Sequence, residues 1–232
     1  PIMDGSSAEF VKEIKKVGTV EHQAERQFLV IEENTVFNIP ERHIDMIAMP
    51  YDDGTRMTVM IDYNSPVLGS QHASITSMNQ FEDQISSSRT FCFLHELEAL
   101  AKANLIKGGD LENAIVIVDR KVSEQELDDL AKLLNKEKVA VKEEGILNNI
   151  DLRYQNEPAR HKLLDLIGDL ALVGVPIKGH IMAARPGHAA NIEFAKVLKK
   201  IWLQQKKNPP APKYDPNKTP IFTNQDIQGL LP

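Results

Sequence analysis

Residues 160–174 read RHKLLDLIGDLALVG. At about 100° per residue, with His161 taken as origin, Asp165 falls near roughly 40° and Asp169 near roughly 80°. Leu163, Leu166, Ile167 and Leu170 gather opposite, between roughly 140° and 240°. Gly168 falls beside His161 and leaves room there for something bulky. A helix this apolar is buried over most of its surface, and buried carboxylates are costly unless paired with a cation or a metal. An imidazole and a carboxylate at i and i+4 lie one turn apart on one face and can reach a single ion. The plainer alternative is that Asp165 and Asp169 pair with Lys162, Arg160 or Arg185. The pattern alone leaves both readings open.

The flanks frame this helix. Asn156 is a capping type, Pro158 suits a first turn, and Gly174 with Pro176 stops the far end. Outward from it, residues 175–184 (VPIKGHIMAA) read as a strand, and residues 188–207 read as a second long helix opened by His188. A charged His188 there would need a nearby acid against the positive helix end, and Asp169 is the candidate; the plainer reading is a capping or solvent-exposed histidine. Upstream, residues 5–17 read as a short helix with Ser6 or Ser7 as cap. FLVIEE, TVFNI, HIDMIAMP and RMTVMIDY, between Gln27 and about Met78, read as short strands. DDGT reads as a hairpin turn. LHELEALAKAN is an amphipathic helix followed by the turn KGGD, and NAIVIVD is a buried strand. Residues 123–137 form a helix with a Ser123/Glu126 capping box. Strand groups mixed with helices make an α+β layered sheet-and-helix domain.

Composition narrows the function classes. The 232 residues carry a net charge of −6 and one cysteine, Cys92. The charge disfavours a nucleic-acid partner. One cysteine excludes an internal disulfide framework and a cysteine-based zinc site. No apolar run reaches transmembrane length and no signal-peptide pattern opens the chain, so the expectation is a soluble, cytoplasmic protein.

The strings PIMDGS, SSRTFCF, LIKGGDLENAIVIVD, LRYQNEPARHKLLDLIGDLALVG and PIKGHIMAARPGHAAN, in that order, closely resemble the zinc-dependent UDP-3-O-acyl-N-acetylglucosamine deacetylases of lipid A biosynthesis. The most specific part is His-Lys-x-x-Asp-x-x-Gly-Asp, from His161 to Asp169, followed by Gly-His-x-x-Asn, from Gly187 to Asn191. The resemblance implies two similar α+β domains with the active site between them and a zinc (Zn2+) cofactor. It implies that His161 and Asp165 are metal ligands. Lys162 would contact the phosphate side of an acylated UDP-N-acetylglucosamine, and Phe91 would pack on its sugar. Asp169 would orient and charge His188, which would stabilise the oxyanion or protonate the leaving amine. Thr90 would hydrogen-bond the oxyanion. Leu97, Ile106, Leu111, Ala114 and Val116 would line the acyl-chain passage.

On this resemblance, residues 1–18 are expected to end a first deacetylase domain and 19–206 to form the second. Residues 207–220, NPPAPKYDPNKTP within them, are a Pro-rich linker. Residues 221–232, with NQDIQGLLP, resemble the start of a fused 3-hydroxyacyl-carrier-protein dehydratase, whose substrate rides on acyl carrier protein. The family's remaining zinc histidine and its general-base Glu lie before PIMDGS, so this chain alone is expected to lack them and to be inactive. Glu21-His22 resembles that pair but is out of order, and is read as coincidence. Residues 120–151 are longer than the compact family form and read as a lineage insert. Two alternatives are kept: a catalytically inactive scaffold or partner-binding domain with the same fold, and a zinc triad of His161, Asp165 and His188.

Overall fold

The computed structural model describes residues 3–97, 113–133 and 138–207. Its strands are β1 (Leu29–Val30), β2 (Thr35–Ile39), β3 (Ile44–Met49), β4 (Thr55–Asp62), β5 (Ser70–Ile75), β6 (Phe91–Phe93), β7 (Ile115–Ile117) and β8 (Ile177–Ala184). Its helices are α1 (Ala8–Val17), α2 (Phe81–Gln84), α3 (Glu124–Leu133), α4 (Glu157–Leu170) and α5 (His188–Lys207). The fold is α+β.

The strand IKGHIMAA alternates, with Ile177, Gly179, Ile181 and Ala183 buried. That period-2 pattern directs one face inward, and β8 sits at the middle of the main sheet, ordered β2-β3-β8-β4-β5. β8 runs antiparallel to β3 and parallel to β4, and β1 pairs with its first residues, Leu29 opposite Ile177. Gly179 permits this crowding, because a Cβ there would lie 2.6 Å from Ile31 and 3.0 Å from the Met49 carbonyl. Helices α4 and α5 pack together, α4 against β4 and β5 and α5 against β1. Leu163 and Leu166 of α4 and Phe194 and Leu198 of α5 are fully buried with Val59, Ile61, Ile75 and Ile181 of the sheet. Each such side chain contributes about 1.5–3 kcal/mol by leaving water. The opposite face carries Val36, Met60 and Met182 in the open.

A second, smaller layer stands beside this one. β6 and β7 pair in parallel. Phe93, Ile115 and Ile117 turn to the main core, while Val116 and Val118 turn to a separate cluster with Leu94, Leu97, Leu130, Ala131, Val139 and Leu147. Much of the expected insert, residues 120–151, therefore packs: α3 covers one side of the strand pair. The Ser123/Glu126 capping box forms, with Glu126 N donating to Ser123 Oγ at 3.3 Å and Ser123 N to Glu126 Oε2 at 2.9 Å.

Three local expectations change, and one strand appears that the sequence did not single out. DDGT turns the chain but closes no hairpin, because β8 lies between β3 and β4. FLVIEE contracts to Leu29–Val30. SQHASI forms β5 with few β-branched residues, its Ala73 and Ile75 anchored in the core. Asn156 precedes α4 without a side-chain cap; its amide instead donates to the His72 carbonyl at 2.8 Å and its oxygen accepts from Arg160 Nε at 2.8 Å. Gly174 does end the region, at φ 89°. Within LHELEALAKAN, residues 94–97 are helical; the rest of that stretch, the KGGD turn and residues 208–232 lie outside the described residues. Among the described residues no helix is long and apolar enough to cross a membrane.

Candidate functional site

His161 is buried, 8% exposed. Its Nδ1 lies 3.0 Å from the Ser88 carbonyl oxygen. A carbonyl only accepts, so Nδ1 carries the proton and Nε2 of the neutral ring keeps its lone pair. Burial holds the imidazole below its ordinary value, with the Asp165 carboxylate pulling the other way. Nε2 faces Asp165 Oδ1 at 3.4 Å. The other Asp165 oxygen accepts from Lys162 Nζ at 3.0 Å and lies 3.9 Å from His188 Nε2. Asp165 thus sits between two imidazole nitrogens. The plain ion pair that the sequence allowed is also present, through Lys162; Arg160 goes to the Gln84 carbonyl and Arg185 to Asp62 instead.

Asp169, one turn further along α4, accepts His188 Nδ1 at 2.9 Å. His188 opens α5, and the α4–α5 packing brings it across. Its side chain is 65% exposed and its Nε2 is the end turned toward Asp165. Lys162 Nζ also lies 5.5 Å from the centre of the Phe91 ring, and Tyr63 meets that ring edge-on at 5.6 Å. The structure therefore gathers His161, Lys162, Asp165, Asp169, His188 and Phe91.

Thr90, next in sequence to Phe91, is fixed through its backbone. Its N–H donates to the Gly5 carbonyl at 3.0 Å, and its carbonyl accepts from Ile115 N at 2.8 Å. Leu97 and Val116 are buried in the smaller core. Ala114 is half-buried, and its carbonyl accepts from Asn149 Nδ2 at 3.1 Å. Ile106 and Leu111 lie outside the described residues. Glu21 and His22 are exposed in the connection between α1 and β1.

Several residues that sequence reasoning left without a role tie the parts together. Glu157, fully buried, accepts Arg89 N and Nε at 2.9 Å on one oxygen, and Arg89 Nη2 at 3.1 Å and Arg153 N at 2.6 Å on the other. Burial pushes its carboxyl up, but the Arg89 and backbone donors hold it below the ordinary range. Arg153 also donates to the Ser87 carbonyl at 2.7 Å and pairs with Asp4 at 2.8 Å. Residues 86–90 are thereby bolted to α4, to the PIMDGS segment and to the Ser7 that follows it, whose N–H donates to the Ser86 carbonyl at 2.9 Å. The signal available was an Arg in SSRTFCF and a Glu in LRYQNEPARHKLLDLIGDLALVG, of a type that pairs when buried, but spacing could not pair them. Asn191 is another such residue: its Nδ2 donates to Asp169 Oδ2 at 2.9 Å.

The donor set suits a borderline metal ion such as zinc: one imidazole in the ligating tautomer, backed by a carbonyl, and one carboxylate. Among the described residues no group of three or more His, Cys, Asp and Glu completes such a set.

Sequence comparison with known proteins gives the family. A sequence model described as LpxC, UDP-3-O-acyl N-acetylglycosamine deacetylase, matches residues 1–130 and 130–200. The chain is 46% identical over 237 residues to the bifunctional enzyme LpxC/FabZ of Chlorobaculum tepidum, covering 100% of this chain and 50% of that protein. It is 44% identical over 232 residues to the bifunctional enzyme LpxC/FabZ of Porphyromonas gingivalis, again covering 100% and 50%. With a UDP-3-O-acyl-N-acetylglucosamine deacetylase of Anaeromyxobacter it shares 36% over 193 residues, 82% of this chain and 54% of that protein. The chain spans about half the length of these curated relatives. The matched residues contain α4, the start of α5 and the loop that buttresses them, and the chain belongs to the UDP-3-O-acyl N-acetylglycosamine deacetylase family.

Proposed function

We propose that this chain supplies one wall of the active site of a zinc-dependent deacetylase. Its substrate is UDP-3-O-acyl-N-acetylglucosamine, and the reaction is the committed, acetate-releasing step of lipid A biosynthesis. The observation that carries this reading is the position of Asp165, 3.4 Å from the free Nε2 of His161 and 3.9 Å from Nε2 of His188. A metal-binding edge and a proton-handling edge face each other across one carboxylate. His161 Nε2 and Asp165 would hold the zinc ion, with remaining ligands from water or from protein beyond the described residues. Bound zinc supplies Lewis acidity toward the acetamide carbonyl and lowers the pKa of its water.

The chain's own residues act around that centre. In the hydrolysis a water oxygen adds to the acetamide carbon, the C–N bond breaks, and the nitrogen takes a proton as it leaves. His188, held at Nδ1 by Asp169, presents Nε2 to deliver a proton to the nitrogen or to steady the oxyanion. Thr90 offers a hydroxyl to the oxyanion. Lys162, close above Phe91, offers a cation to the nucleotide phosphates while Phe91 packs on the sugar. Of the residues expected to line an acyl-chain passage, Ala114 is half-buried, while Leu97 and Val116 are enclosed in the smaller core. Following the relatives named LpxC/FabZ, the chain's distal end leads toward a dehydratase whose substrates are carried by acyl carrier protein.

The test is acetate release from the acylated UDP-sugar by the zinc-loaded protein that carries this chain. Activity that survives His161→Ala would overturn the assignment, as would no activity in the parent. His188 is the alternative third ligand: it has a carboxylate behind Nδ1 and Nε2 turned to Asp165, the arrangement by which an outer acid supports a metal-bound histidine, while the described residues as they stand hold no three-ligand group. Zinc content of the His188→Ala variant separates the two.

A further inference from the structure

Asn191 is fully buried in the first turn of α5. It stands three residues after His188, so both side chains leave the same face of the helix. Asp169 Oδ2 accepts His188 Nδ1 at 2.9 Å and Asn191 Nδ2 at 2.9 Å. One carboxylate oxygen is therefore held by two donors from one helix. The Asn191 backbone N–H donates to the Gly187 carbonyl at 2.9 Å, which fixes the residue from which the amide extends. The amide orientation follows from chemistry: turned over, Oδ1 would face the Asp169 carboxylate. In the orientation found, Oδ1 is buried and meets no hydrogen-bond partner among the described residues. An apolar side chain of similar volume would fill the space without an orphaned oxygen. The feature such a side chain cannot supply is the N–H on Asp169.

We propose that Asn191 is a positioning residue, whose amide pins the Asp169 carboxylate so that it holds His188 with Nε2 toward Asp165. Without that second donor the carboxylate rotates about its own bond, and the exposed His188 ring loses its fixed partner. The catalytic consequence rests on the deacetylase reading; the hydrogen-bond consequence does not.

The experiment compares wild-type chain with Asn191→Leu, which keeps volume and removes the donor, and Asn191→Asp, which sets a like charge against Asp169. The readout is solvent exchange of the His188 Nδ1 proton in an isotope-edited imidazole spectrum, assigned by its loss in Asp169→Asn. Exchange rises about tenfold or more in both variants, equivalent to ~1.4 kcal/mol of lost protection. Exchange unchanged in Asn191→Leu overturns the proposal, and so does a wild type with no protected Nδ1 proton. If Asn191→Leu fails to fold by circular dichroism, Asn191→Ala carries the same readout. In the zinc-loaded protein that carries this chain, Asn191→Leu lowers kcat about 10- to 100-fold with KM kept. An inactive parent would defeat the deacetylase reading and leave the exchange result to decide the role of Asn191.

Discussion

The Ser88 carbonyl and His161 Nδ1 meet at 3.0 Å across 73 positions of sequence. That contact selects the tautomer that leaves Nε2 available, and it depends on how residues 86–90 are held. Next to it, Arg89 and Glu157 form a buried pair, 7% and 0% exposed at the side chain.

Breaking that pair should destabilise the whole domain. Glu157→Ala leaves Arg89 buried and uncompensated, a change that costs about 3–5 kcal/mol, and urea denaturation measures it. A loss below about 1 kcal/mol would show that Arg89 finds another partner.

The same pair should mark the acid limb of stability. The folded carboxyl of Glu157 is held below its ordinary value of 4.5. Its contribution is therefore complete above that value and is lost as pH falls through the lower, folded one. Thermal melting should fall with acid below about pH 4.5, and Glu157→Gln should flatten that slope while lowering stability at neutral pH. Parallel melting curves for both proteins would count against it.

Gly5→Ala should release the first helix without unfolding the core. Gly5 sits at φ 76°, and a Cβ there would lie 2.0 Å from the Asn113 carbonyl oxygen. The side chains of α1 contribute nothing to the core, with Phe10 47% and Ile14 61% exposed. Hydrogen exchange at the Thr90 amide, bonded to the Gly5 carbonyl at 3.0 Å, should rise about tenfold or more, which corresponds to ~1.4 kcal/mol of lost protection. Unchanged protection at Thr90 would show that the segment re-seats.

Metal content should sort the three ligand candidates in the zinc-loaded parent protein. His161→Ala and Asp165→Ala should lose most bound zinc. His188→Ala should keep it while losing deacetylation about 10²–10⁴-fold, the range of general acid–base assistance. Zinc lost from His188→Ala would move that residue into the ligand set.

Lys162→Ala should raise KM for the UDP-sugar more than it lowers kcat. Its ammonium lies 3.0 Å from Asp165 and 5.5 Å from the centre of the Phe91 ring, and under the proposed function it binds substrate rather than reacting with it. A pure kcat effect, read from steady-state kinetics, would instead tie Lys162 to the charge of Asp165.

Much of this protein is local and was legible as such. The stripe His161–Asp165–Asp169, the Gly174 stop and the Ser123 box arise within one or two helical turns, where spacing dictates which side chains share a face. β8 was legible as a strand from its position and apolar content. What stayed hidden was pairing. DDGT has the chemistry of a hairpin turn, yet a strand from more than a hundred residues later separates its arms. SQHASI has little intrinsic preference for a strand and becomes one because β4 offers an open edge and the core takes Ala73 and Ile75.

By itself the sequence determined that α4 is helical, apolar on one side, and armed with an imidazole and two carboxylates in register; the shared motifs supplied a family expectation. Only the tertiary structure decided which of these groups meet and in what protonation pattern. His161 takes its tautomer from the Ser88 carbonyl, Asp169 takes its partners from α5, and Glu157 gathers Arg89 and Arg153 in the interior. The physical reason is that a helix fixes neighbours within a turn by covalent geometry alone. A hydrogen bond across dozens of residues exists only after the cores on both sides have packed and removed competing water.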